Sequence, residues 1–230
     1  MLKWVLGFLN VIGLLLIVLF VSIYIPTFSL AYYERHYNDS GMAEHIQISE
    51  EELMIVTERL LDFMRGRYDN LYITATIAGE ERQFFNQREI YHMEDVRDLF
   101  LAGYTIRNVA IAMFSLSLAY LIFFNRDALE VFAKCYVFGI SFFLLSILGL
   151  VLLILTDFET YFIIFHEILF SNDLWILNPA TDLLINLVPL QFFIDIFTFV
   201  SISFLLSVTA ILIASIGFIF FQKKKVLRRS

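Results

Sequence analysis

One cysteine, three prolines and nine glycines in 230 residues remove several common chemistries at the outset. Cys135 alone cannot make a disulfide framework or a multi-cysteine metal cluster. The scattered glycines form neither a phosphate-cradling loop nor a Gly-x-Ser-x-Gly nucleophile elbow. No His-x-x-x-His or Cys-x-x-Cys spacing occurs, so no zinc-ligand pattern is present. Positive charge is also short: 16 Lys and Arg stand against 23 Asp and Glu, a net charge of −7, which leaves no basic face for nucleic acid. What the chain has in excess is apolar surface. It is 60% hydrophobic with a mean hydropathy of +0.77, whereas a soluble domain is roughly half apolar. The expectation is an integral membrane protein, and an ordinary cytosolic enzyme is excluded.

Crossing roughly 30 Å of hydrocarbon at 1.5 Å per residue takes about 20 apolar residues. Four runs qualify: Val5 to Ile25, Thr105 to Phe124, Cys135 to Thr156, and Ile196 to Phe221. Ser29-Leu30-Ala31 loosely resembles a signal-peptidase site, but the first run is longer than the 7–15 residues of a signal core, so an uncleaved helix is expected. Lys3, Arg126 and Lys134, and the tail 222–230 with Lys223, Lys224, Lys225, Arg228 and Arg229 flank the spans on one side. By the positive-inside rule both termini are cytoplasmic. Between Lys134 and Lys223 there is no Lys or Arg, so the external segment 157–195 is purely acidic.

The other external segment, 29–104, is too long to be structureless. Ser49-Glu50-Glu51-Glu52 is a capping box, and Leu53, Val56, Leu60 and Met64 share one face, which predicts a helix from Glu50 to Arg65. Leu71 to Ala78 reads as a strand that Gly79-Glu80-Glu81 turns into Arg82 to Asn86, and Ile90 to Leu101 as a helix leading into span two. Glu34 to Ser49, with His36 and His45, has no periodicity and reads as solvated loop. In the second segment, Phe158 to Phe170 is apolar but too short to span. Ser171-Asn172-Asp173 breaks it, Asn178-Pro179 restarts a helix, and Pro189 ends that piece. The expected fold class is a mainly α membrane protein with four transmembrane helices. A small extracellular α+β cap and a second, re-entrant or interfacial helical segment complete it.

Two histidines stand next to spans. His92 precedes Glu94 and Asp95, and His166 lies inside an apolar run where desolvation disfavours its charged form. Each can be a plain surface or hydrogen-bonded ring, or a neutral base near pH 7. Cys135 lies at the opposite end of its span from both, and Ser171 in Phe-Ser-Asn-Asp reads as a turn former. Arg88 and Glu89 form a local ion pair, or Arg88 binds a carboxylate, phosphate or carbonyl oxygen. Trp175 reads as an interfacial anchor, and Asn172, Asp173, Asn178 and Asp182 as caps and turns or as polar groups facing a cavity.

The stretches Phe84-Phe85-Asn86-Gln87-Arg88-Glu89-Ile90-Tyr91-His92-Met93-Glu94-Asp95-Val96 and Phe165-His166-Glu167-Ile168-Leu169-Phe170-Ser171-Asn172-Asp173-Leu174-Trp175-Ile176-Leu177-Asn178-Pro179-Ala180-Thr181-Asp182 resemble the lipoprotein intramolecular transacylases of Gram-positive bacteria. The resemblance implies a plasma-membrane acyltransferase working on the extracellular face. It would move the sn-2 acyl chain of a diacylglyceryl-lipoprotein to the α-amine of the N-terminal cysteine, giving the lyso-form. It also implies two essential histidines, which map onto His92 and His166. Arg88, Glu89, Asn172, Asp173, Trp175 and Asn178 are then the candidates for binding or positioning substrate. No cofactor and no metal are expected, and the partners are the lipoprotein and membrane lipids. The alternative is a non-enzymatic membrane protein, a sensor or accessory subunit whose cap binds another protein.

Overall fold

The computed structural model describes residues 1–227. Arg228 and Arg229 of the expected basic tail lie outside the described residues, as do the side chains of Lys223 and Lys225. The elements run α1 (Leu2–Thr27), α2 (Leu30–Ser40), α3 (Met42–His45), α4 (Glu50–Met64), β1 (Thr74–Ile77), β2 (Glu80–Gln83), α5 (Gln87–Phe124), α6 (Ala128–Thr156), α7 (Phe158–Leu169), α8 (Leu184–Leu187) and α9 (Leu190–Leu227). Four of these are long and apolar enough to cross a membrane: α1, α5, α6, and α9 up to Gln222. They contain the four runs read from the sequence.

The chain divides into two compact units. The first holds Met1–Tyr24, Thr105–Thr156 and the chain from Phe199 on. Val11, Leu15, Val131, Cys135, Ile140, Phe204 and Val208 form its core, while Phe123, Phe142, Leu145 and Leu206 are exposed, as suits helices solvated by lipid. Close approach is permitted at Gly13, where a Cβ would sit 3.0 Å from the Ala110 carbonyl oxygen of α5. A buried amide joins three helices. The Asn10 Nδ2 donates to Phe114 O at 2.8 Å and Ser117 Oγ at 2.9 Å, and its Oδ1 accepts from the Tyr136 hydroxyl at 2.5 Å.

The second unit holds Ile25–Tyr104 and Asp157–Thr198. Its core packs Leu53, Val56, Leu60 and Phe63 of α4 against Tyr33 and Tyr37 of α2, Phe84 and Phe85 after β2, Ile90 and Met93 of α5, and Leu184, Leu187 and Phe192. The capping box forms as its sequence dictates: Ser49 Oγ accepts from Glu52 N–H at 3.1 Å and α4 starts at Glu50.

Three local expectations need correction. Glu34 to Ser49 is largely helical, not loop: it falls within α2 and α3, because Tyr33 and Tyr37, one turn apart, bury one face of α2, and Gly41 ends that helix in the left-handed conformation at φ 63°. His36 is therefore a half-buried helical residue packed 4.9 Å from the Phe192 ring, while His45 is exposed at the end of α3. The hairpin turn is Ala78-Gly79, with φ 54° and 85°, so β2 begins at Glu80 instead of Arg82. Asn178-Pro179 opens a turn rather than a helix. Asn178 N–H donates to Asp182 Oδ2 at 2.7 Å and Asn178 O accepts from Thr181 and Asp182 N–H, which closes the chain on itself before α8 starts at Leu184.

Candidate active site

Two elements of the second unit carry the histidines. His92 lies in the second turn of α5, before its apolar part, and His166 in the last turn of α7. Residues Phe158–Leu169 form a helix with exposed Ile163, Ile164, Phe165 and Ile168, and turn His166 inward. The two rings lie 6.2 Å apart between centroids, tilted by 39°. Both are buried, at 7% and 8% relative exposure. Aromatic rings enclose them: Phe162 at 4.3 Å, Trp175 at 4.9 Å and Phe170 at 5.6 Å from His166, and Phe170 at 5.4 Å from His92.

This apolar box sets the protonation of both rings. Burial first, then the neighbouring His166 and Arg88, lower the His92 pKa to about 4, with Asp95 opposing. Burial also lowers His166, against a hydrogen bond to the Phe162 backbone that raises it. That bond fixes the tautomer. His166 Nδ1 lies 2.7 Å from Phe162 O, and since a carbonyl oxygen only accepts, Nδ1 carries the proton and Nε2 presents its lone pair. His92 Nδ1 is buried with no hydrogen-bond partner among the described residues. Histidine-selective isotope labelling checks this directly. Both rings should titrate below the usual 6.5, the His92 resonances moving only near pH 4; either ring titrating at or above 6.5 would show that it is not desolvated.

The segment after α7 folds over the histidines. Asn172 Nδ2 donates to Asp95 Oδ2 at 2.8 Å, and Asn172 O accepts from Trp175 Nε1 at 3.1 Å, which holds the indole against His166. Arg88 donates to the Asp173 carbonyl oxygen and faces the Asp173 carboxylate at 3.6 Å. Arg88 and Asp95 thus pin Asn172 and Asp173 on either side of His92 along α5, and Trp175 completes the aromatic wall.

Arg88 and Glu89 do not pair with each other. Glu89 is 1% exposed and faces away from Arg88's partners. Its Oε2 accepts from Asn86 N–H at 2.7 Å while Asn86 Oδ1 accepts from Glu89 N–H at 3.1 Å, a capping box at the start of α5. Its Oε1 accepts from Leu184 N–H at 2.6 Å, so the same carboxylate caps α8. Burial pushes its pKa up and these N–H bonds oppose that. Asn86 Nδ2 donates to Asp182 Oδ1 at 2.8 Å, and Asp182 Oδ2 accepts from Asn178 N–H.

Of the eight residues read from the sequence, His92, His166, Arg88, Asn172, Asp173 and Trp175 come together around the rings. Glu89 and Asn178 belong to the network behind them. Asn86, Phe170 and the Phe162 carbonyl are structural partners that sequence reasoning did not single out, while Asp95 was read only as a neighbour of His92 and Asp182 only among the cap and turn residues. The Asn-x-x-Glu spacing of 86 and 89 was a local signal for one of them.

The model of the family described as lipoprotein intramolecular transacylase Lit matches residues 8–193. No curated protein sequence matches. Among solved structures, the chain is similar to the membrane integral lipoprotein intramolecular transacylase Lit from Bacillus cereus, at 16% identity and a TM-score of 0.75 over 97% of this chain and 98% of that one. Two further structures of the Bacillus cereus protein, each with one histidine replaced, by arginine or by alanine, align at 16% and 17% identity with TM-scores of 0.72 and 0.71. They cover 100% of this chain and 95% and 96% of theirs. At such identity these structures establish a shared membrane-integral fold. The family match, spanning most of the sequence, sets aside the non-enzymatic reading: the chain is an acyltransferase that belongs to the lipoprotein intramolecular transacylase family.

Proposed function

We propose that this protein moves the sn-2 acyl chain of a diacylglyceryl-lipoprotein to the α-amine of its N-terminal cysteine, with His166 as the base. The observation that carries the reading is the pair of buried imidazoles 6.2 Å apart, one of them with its Nδ1 anchored on a backbone carbonyl. Donor ester and acceptor amine belong to one molecule, so holding them together supplies proximity without a nucleophilic Ser or Cys on the enzyme. The amine attacks the ester carbonyl carbon, and His166 Nε2 takes the proton that the nitrogen loses. The tetrahedral intermediate then collapses. The carbon to glycerol oxygen bond breaks, and His166 returns the proton to that oxygen, leaving an amide and a monoacylglycerol thioether. His92 donates an N–H to the oxyanion, and Arg88, with its fork one turn earlier on α5, holds the segment that closes the box.

Charge favours the outer face for this chemistry. Lys3 and Asp127 pair at 2.5 Å, and Arg126 and Lys134 lie nearby in sequence, which the positive-inside rule assigns to the cytoplasm. The segments 29–104 and 157–195 are then external, and the exposed Ile163, Ile164, Phe165 and Ile168 of α7 suit a helix at the lipid headgroups.

The test is a reconstituted assay with a diacylglyceryl lipopeptide whose sn-2 chain alone is deuterated. Mass spectrometry should find the label as an amide on the cysteine nitrogen, with label and peptide staying together when two isotopically distinct substrates are mixed. Label arriving from sn-1, or crossing between molecules, would overturn the proposal.

A further inference from the structure

We infer that the free edge of strand β2 is the docking site for the substrate's own peptide chain, downstream of the modified cysteine, by strand addition; this rests on the acyl-shift reading above. The register decides which backbone groups are free. With a two-residue turn at Ala78-Gly79, both at positive φ, Ile77 and Glu80 form the closing hydrogen-bonded pair. Hydrogen-bonded and non-bonded pairs then alternate, so Ala75 and Arg82 bond to each other while Thr76 opposite Glu81 and Thr74 opposite Gln83 point their N–H and C=O groups outward. Two bonds fix this phase independently. Phe84 N–H donates to Ile73 O at 2.8 Å, as the next bonded pair requires, and Thr76 N–H points away from β2 to Glu52 Oε1 at 3.1 Å.

The outer edge of β1 is thus occupied by α4, and among the described residues none pairs with the outer edge of β2. All four β2 residues are exposed. Glu81 and Gln83 present their backbone N–H and C=O two residues apart, roughly 6.8 Å along the strand, the spacing an added strand needs.

Position argues for the substrate as the occupant. Gln83 is three residues before Asn86, the residue that caps α5, and His92 lies about 7.5 Å up that helix from Gln87 at 1.5 Å per residue. An extended chain whose first residue is at the histidines covers that helical part of the path in two to three residues at about 3.3 Å each, and the next residues reach back toward Gln83. Between hairpin and helix lies a cavity of about 240 Å³ whose wall mixes Arg82, Gln83, Asn86 and Gln87 with Phe84 and Ile90, polar groups for a peptide backbone beside apolar ones for its side chains.

Chemistry argues the same way. Lipoproteins share the modified cysteine and differ beyond it, and main-chain pairing reads a peptide without reading its side chains.

The experiment compares diacylglyceryl-cysteine amide with lipopeptides extended by up to eight neutral residues, in vesicles, reading KM and binding affinity separately from kcat. The expected result is about a tenfold fall in KM by the fifth or sixth residue and a plateau beyond. Backbone N-methylation along the longest peptide should weaken binding at every second position. Gln83→Pro removes only an outward N–H, so it should abolish the advantage of the long peptide while leaving the short substrate unchanged. Length-independent KM, N-methyl losses without a two-residue period, or a Gln83→Pro loss shared equally by the short substrate would overturn strand addition. A short substrate that binds but is never acylated on nitrogen would instead overturn the acyl-shift reading. The affinity scan on the unaltered protein decides the docking proposal in either case, even if Gln83→Pro does not fold.

Discussion

His166→Ala should lower turnover by roughly 10²- to 10⁴-fold, the contribution of a positioned acid–base group. The ring is the one group in the aromatic box with a lone pair whose direction is dictated: Nδ1 is spent on Phe162 O at 2.7 Å and Nε2 is left to accept. Alanine also removes a ring packed against Phe162, Phe170 and Trp175, so loss of activity alone would not separate chemistry from packing. His166→Asn does separate them. Its amide can donate to the same carbonyl and so preserve the end of α7, yet it offers no titratable nitrogen. The expected outcome is melting closer to wild type than that of His166→Ala and the same loss of lyso-form product, read by mass spectrometry at matched protein level. Activity above a tenth of wild type in His166→Asn would remove this ring from proton transfer. His92→Ala should cost less, roughly 10²- to 10³-fold, as befits the loss of one oxyanion donor.

Which parts of this arrangement were legible beforehand follows from the range of the interactions involved. The four spans were, because twenty apolar residues in a row carry their own explanation, and so was α4, whose Ser49-to-Glu52 box is local. The helix α2 was not, since Tyr33 and Tyr37 are its only buried residues in a polar stretch and gain their meaning from α4 and Phe192, far away in sequence. The histidines were legible as odd polar residues in or beside apolar runs. Their partners were less so: Asn172 reaches Asp95 across 77 positions, Arg88 reaches Asp173 across 85, and Asn86 reaches Asp182 across 96. No periodicity or motif encodes such pairs in a single sequence. Reading Arg88 and Glu89 as a local ion pair failed for the same reason, because adjacent helical side chains diverge and each found a distant partner instead.

Glu89 is where that divergence has its largest consequence for stability. Its carboxylate accepts from Asn86 N–H at 2.7 Å and Leu184 N–H at 2.6 Å while buried to 1% exposure, so it ties the start of α5 to the segment that follows His166. Glu89→Ala strands the buried Leu184 N–H, which costs about 1–3 kcal/mol, releases the part-buried Asn86 N–H, and leaves a void besides. A loss of roughly 2–5 kcal/mol is expected, measured by unfolding in detergent. Glu89→Gln should cost about half as much, because one amide oxygen still accepts and the amide nitrogen faces the other N–H. That variant isolates the effect on the site. Well below its unfolding midpoint, kcat should fall about tenfold with KM unchanged, since His92 lies one turn further along the displaced helix and catalytic geometry is sensitive to shifts of about 1 Å. Arg88→Ala is the internal comparison. Its partner Asp173 is exposed, and an exposed ion pair contributes about 0–1 kcal/mol, so its unfolding should stay close to wild type. Equal destabilisation by Arg88→Ala and Glu89→Ala would mean that the buried carboxylate does not hold the two histidine-bearing segments together.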